Sequence, residues 1–124
     1  MPFKTCLLIG DNRLDILINT RVIQTNNFAN EIMVCGDAEE ALDLLRHEKV
    51  KPNVIFVDIN MPVMDGFQFL DEYEKLNIDK SGIKIYMLSS FSNPADLERA
   101  KHNKYVTRFL DKSLTPSILS ELDK

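Results

Sequence analysis

The chain has 124 residues, 15 basic and 19 acidic, with a formal net charge of -4. That length suits one domain, and 44% apolar with 27% charged residues is ordinary globular composition rather than that of a disordered tail. The acidic balance leaves no electrostatic footprint for nucleic acid, and no stretch reaches the roughly 18 apolar residues of a membrane span.

The first ten residues hold one short apolar run and no long hydrophobic region of a signal peptide. Cys6 and Cys35 are too few for a disulfide scaffold, and both sit inside apolar segments. Buried, reduced thiols are expected, which fits a cytoplasmic protein. No interior boundary or repeat is visible, so residues 1–124 read as one domain, and Met1 and the tidy end of the last helix favour a stand-alone chain.

Five short apolar runs read as strands: Thr5–Ile9, Glu31–Cys35, Val54–Val57, Ile83–Leu88 and Val106–Leu110. They are nearly continuous in Val, Ile, Leu and Phe, as parallel strands buried on both faces should be. A first helix is expected at about Arg13 to Thr25, with Asn12 as its cap and Leu14, Leu17, Ile18 and Val22 largely in the core. Asp37-Ala38-Glu39-Glu40 has the form of a helix start, with Ala38, Ala41, Leu42 and Leu45 on one face behind it. Gly82 is placed to end the third excursion. Asn93-Pro94 and Thr115-Pro116 each set a capping side chain before a proline at the first helical position. The pattern is α/β, a doubly wound (βα)5 sandwich with a five-stranded parallel sheet.

In such sheets ligands bind beyond the carboxyl ends of the strands, near the point where strand order reverses. Gly10, Asp11 and Asn12 follow the first strand, and Asp58, Ile59 and Asn60 the third. Ser89 and Ser90 follow the fourth, and Asp111 and Lys112 the fifth. Two carboxylates with backbone carbonyls make a hard oxygen site suited to Mg²⁺. A carboxylate beside such a cation and a lysine can act as a nucleophile toward phosphorus, with the ammonium and hydroxyl holding phosphoryl oxygens. Taken singly, Asp58 could be a turn residue, Ser89 a turn hydroxyl and Lys112 a solvated lysine. Their joint placement at separate strand ends is what points to chemistry.

The segment Val54-Ile55-Phe56-Val57-Asp58-Ile59-Asn60-Met61-Pro62-Val63-Met64-Asp65-Gly66 resembles the phosphoacceptor signature of response-regulator receiver domains in two-component signalling. Leu88-Ser89-Ser90, Asn93-Pro94-Ala95-Asp96 and Phe109-Leu110-Asp111-Lys112 are similar to the later receiver motifs, so the resemblance runs end to end. It implies the flavodoxin-like receiver topology, with Asp58 accepting a phosphoryl group from a sensor histidine kinase or histidine phosphotransfer protein. Asp11, Asp58 and the Asn60 carbonyl would hold Mg²⁺, and Lys112 would pair with phosphoryl or carboxylate oxygens. Ser89 would be the switch hydroxyl, and Phe109 either the aromatic that responds to it or a plain core residue. Pro62 and Gly66 would shape the loop after the active strand, and Asp65 reads equally as a helix cap. The resemblance implies a signalling domain that assists its own phosphorylation and dephosphorylation rather than an enzyme, docking its partner on the first helix.

Two positions depart from the family pattern. Gly10 stands where receivers usually carry the first of two acids, which removes a negative charge from the metal site. Ser113 follows Lys112 where receivers usually have proline, typically after a cis bond. A cis bond to serine costs about 2.5 to 4 kcal/mol; the retained spacing of Lys112, Leu114 and Thr115 nonetheless favours cis here. These departures support an alternative, a degenerate pseudo-receiver acting as a phosphorylation-independent binding module. An aspartate-nucleophile phosphatase of the haloacid dehalogenase type is disfavoured, because Asn60 occupies the place of its general acid. His47 and His102 sit in polar helical segments and read as surface residues.

Overall fold

The structure is a computed structural model and describes residues 3–89 and 94–122. Five strands alternate with five helices: β1 (Phe3–Ile9), α1 (Arg13–Thr25), β2 (Ala29–Cys35), α2 (Ala38–Arg46), β3 (Val54–Asp58), α3 (Gly66–Glu74), β4 (Lys84–Ser89), α4 (Pro94–Lys101), β5 (Val106–Asp111) and α5 (Pro116–Leu122). The strands form one parallel sheet in the order β2-β1-β3-β4-β5. The expected (βα)5 architecture is therefore what the chain adopts.

Alternation along each strand explains the continuous apolar runs. Leu7, Ile9, Ile55, Val57, Ile85 and Met87 pack on one face with α2 and α3, through Leu42, Leu45, Phe69 and Tyr73. Their neighbours Cys6, Leu8, Val54, Phe56, Tyr86 and Leu88 pack on the other face with Ile23, Leu119 and Leu122 of α1 and α5. With both faces covered, neither set can be polar. Cys6 and Cys35 are buried free thiols, and burial is the leading cause pushing each up to about 12.

The helix starts follow their capping chemistry. Asn12 accepts the Asp15 N–H, Asp37 the Glu40 N–H, and Thr115 Oγ1 the Ile118 N–H. Asp65 is indeed a cap, and more: it forms a reciprocal capping box with Gln68. The Asn93 cap, like Ser90, lies outside the described residues. Gly82 does not end α3, which stops at Glu74 with Lys75 as its cap. An Asp79 turn, accepting from the N–H and hydroxyl of Ser81, leads the chain back toward β4 instead.

The largest departure from expectation is α1. Leu14, Leu17 and Ile18 are not core but 64%, 61% and 42% exposed. The helix is apolar on two faces, and the face turned to the sheet carries Ile16, Asn19 and Ile23. Hydrophobic pattern alone could not choose between those faces. Among the described residues, no helix is long and apolar enough to cross a membrane.

Candidate functional site

Strand order reverses between β1 and β3, so the loops leaving these two strands open the crevice in which doubly wound sheets bind ligands. Asp58 ends β3 beside Leu88 of β4, and Ser89 pairs with Asp111 of β5. The Lys112 N–H donates to the Ser89 carbonyl at 2.9 Å, which ties the next loop to the same edge. A shallow cleft there is lined by Gly10, Asn12, Asp15, Asn19, Asp58 and Lys112, among others. Topology thus gathers Asp58, Ser89 and Lys112, as the sequence led one to expect. Asp11 and Asn60 are exposed at the same edge. A larger hollow of about 260 Å³ lies at the amino ends of β3 and β4, lined by residues such as Pro52, Asn53 and Ile83.

Asp58 is half-buried, and its Oδ1 accepts the Asn60 N–H at 3.1 Å, which fixes the rotation of the carboxylate. Burial pushes Asp58 above the usual carboxylate range. The Asn60 N–H opposes that rise, Asp11 and Asp15 add to it, and Lys112 opposes it. This is a cluster of like charges that a cation would relieve. Among the described residues no group of three or more His, Cys, Asp or Glu side chains is placed to cage a metal. What the edge offers is sparser: exposed Asp11 and half-buried Asp58 are hard oxygen donors of the kind that suits Mg²⁺, which keeps several of its own waters.

The loop from β3 to α3 is held close. Gly66 donates its N–H to the Ile59 carbonyl at 2.9 Å. A Cβ at Gly66 would stand 2.9 Å from both the Asp58 carbonyl oxygen and Ile59 Cα. Between them, Val63 has φ 69° and is bridged by the Met64 N–H bonding the Pro62 carbonyl at 2.7 Å. That is the pattern of a classic γ-turn, a strained conformation for a β-branched residue.

Lys112 is placed differently from the expectation. The described residues contain no cis peptide bond, so Lys112–Ser113 is trans. Without proline the cis form has no discount, and a side chain from α1 does the holding. Asn19, 3% exposed, donates through Nδ2 to the Lys112 carbonyl at 2.9 Å and accepts the Leu114 N–H at 3.0 Å. One turn earlier on the helix, Asp15 Oδ2 lies 2.7 Å from Lys112 Nζ. That pairing with Asp15 is the leading cause holding the ammonium above its usual range; Asp58 and Asp11 add to it.

Asp15 and Asn19 escaped the sequence reading because each is an ordinary residue for its place. An acid in the first helical turn complements the helix dipole. The available signal was their i, i+4 spacing on a face that also carries Ile16 and Ile23.

Ser89 is buried at the end of β4, and Phe109 is half-buried against the α2–α4 side of the core. His47 and His102 are exposed and pair with Asp43 and Glu98 of their own helices.

Residues 6–122 match the response regulator receiver domain family, and the chain belongs to it. It is 29% identical over 117 residues to response regulator Rcp1 of Synechocystis sp., covering 90% of this chain and 78% of that protein. Other curated relatives are longer, and the chain spans half of them or less. Among solved structures, a two-component response regulator from Cytophaga hutchinsonii superposes with a TM-score of 0.87 at 27% identity. That match covers 97% of this chain and 93% of the other. The Mn(2+)-bound form of Rcp1 superposes with a TM-score of 0.77 at 26% identity, over 97% of this chain and 88% of its own.

Proposed function

We propose that this receiver domain accepts a phosphoryl group on Asp58 from a partner's phosphohistidine, in a Mg²⁺-dependent reaction, and signals through protein–protein contacts. The observation that carries the reading is the convergence of Asp58, Ser89 and Lys112 at one sheet edge, fastened by the Lys112 N–H to the Ser89 carbonyl. Asp58 attacks phosphorus, the bond from phosphorus to the histidine nitrogen breaks, and an acyl phosphate forms on the carboxylate. Lys112 and Ser89 hold the transferred oxygens. Asp11, Asp58 and the Asn60 carbonyl would hold the cation, which supplies charge neutralisation at the phosphoryl group. That a relative has been solved with Mn²⁺ supports a divalent site. On this reading the domain is not an enzyme but assists its own phosphorylation and dephosphorylation, in the cytoplasm.

The added phosphoryl group brings about -1.5 to -2 charges. Ser89 and Phe109 pass that change to the face of α4, β5 and α5, where a downstream protein binds.

The exposed Leu14, Leu17 and Ile18 give α1 an apolar outer face beside the Asp58 edge, suited to docking a kinase or phosphotransfer protein. Leu17→Glu is expected to reduce transfer from a phosphorylated histidine phosphotransfer domain at least tenfold. Labelling by acetyl phosphate, which needs no docking, should be unchanged. Equal losses with both donors would remove α1 as the docking face.

A second reading is favoured by Gly10 and by the engagement of Lys112 with Asp15. It is a pseudo-receiver that binds partners without phosphorylation, and it would show little affinity for Mg²⁺.

A further inference from the structure

We propose that Asp15 is the third acid of this site, arriving from α1 in place of the side chain that Gly10 lacks, and that it latches Lys112 away from Asp58 in the resting state. The inference rests on the phosphoacceptor reading and adds a resting state and a route out of it.

The space beside Asp58 is open at Gly10. A Cβ there would meet nothing nearer than Asp58 Cβ and Ile16 Cγ1, each at 3.9 Å. The first atom of a side chain is thus accommodated at that position, yet no acid is present. Asp15, five residues further on, lines the same cleft as Asp58. Its Oδ2 lies 2.7 Å from Lys112 Nζ, with the two side chains 21% and 32% exposed. This ion pair is only partly wetted, so solvent screens it less than a surface pair.

Asn19 sets the main chain of Lys112 from the same helix, one turn on. Helix α1 therefore grips the lysine at both ends. When a phosphoryl group arrives at Asp58, Lys112 must leave Asp15 to meet it. Asp15 then stays behind as an uncompensated negative charge near a dianion. The latch thus opposes the phosphorylated state, while the same charge favours a cation.

These two effects have opposite signs, and that separates Asp15 from a residue with a merely structural role. Calorimetric titrations with Mg²⁺ alone, then with beryllium trifluoride at saturating Mg²⁺, are compared for the wild type and Asp15→Asn. Asp15→Asn is expected to bind Mg²⁺ about three- to tenfold more weakly, and beryllium trifluoride about three- to tenfold more tightly. Adding Gly10→Asp to Asp15→Asn should restore Mg²⁺ affinity without restoring the latch. Beryllium trifluoride binding that is unchanged or weaker in folded Asp15→Asn overturns the latch. Mg²⁺ affinity that is unchanged overturns the third-acid role. Failure of the wild-type protein itself to bind beryllium trifluoride overturns the phosphoacceptor reading, and the latch with it. The failures are distinguishable, because the first two leave the wild-type titration intact.

Discussion

Asn19→Ala is expected to destabilise the domain by about 2 to 4 kcal/mol and to slow phosphorylation of whatever protein remains folded. The substitution strips partners from the Lys112 carbonyl and the Leu114 N–H, which Asn19 bonds at 2.9 and 3.0 Å. Each buried polar group left unpaired costs about 1 to 3 kcal/mol. Asn19→Leu keeps the branched shape and fills the space but makes none of the bonds, so it should recover packing without recovering the phosphorylation rate. Thermal melts read the first effect, and acetyl phosphate labelling of folded protein reads the second. If both variants label at the wild-type rate, the placement of Lys112 does not depend on α1.

Gly66→Ala is also expected to be damaging, by a different route. The new methyl would sit 2.9 Å from Asp58 O and Ile59 Cα, and 3.0 Å from Met87 Cε. Met87 can shift, but the two backbone atoms cannot do so cheaply. Either α3 moves away and opens the core around Phe67 and Phe69, or the Asp58 loop distorts. Overpacking of this kind costs about 1 to 3 kcal/mol, and here the strain falls on the loop that carries the Asp58 carboxylate. A lowered melting temperature together with loss of the phosphoryl adduct is expected. Normal labelling would mean that the loop tolerates the displacement.

The two large effects come from residues with very different visibility in the sequence. Gly66 lies within the segment that most resembles the family, so its role in the loop was expected. Asn19 was not, because a lone asparagine in a helix reads as a solvated residue until the packed face is known. Here the face was ambiguous, with Leu14, Leu17 and Ile18 competing against Ile16, Val22 and Ile23. Burial of the second set turned Asn19 inward and left the first set as an apolar outer surface.

The sheet was legible for a related reason. Strands covered on both faces must be apolar throughout, so a polar residue at a strand end stands out. That is how Asp58, Ser89 and Lys112 could be found although together they span more than fifty residues. The trans bond at Lys112–Ser113 could not be read in the same way. Spacing to Leu114 and Thr115 was retained, but spacing does not distinguish a proline-set loop from one held by Asn19. The i, i+4 pair of Asp15 and Asn19 is the trace of that alternative.

The most direct test of the central claim is intact-mass spectrometry after incubation with acetyl phosphate and Mg²⁺, with Asp58→Asn alongside. The expected result is a single phosphoryl adduct on the wild type, absent from Asp58→Asn and abolished by EDTA. An unmodified wild type, or an adduct that persists in folded Asp58→Asn, would contradict the assignment of Asp58 as phosphoacceptor.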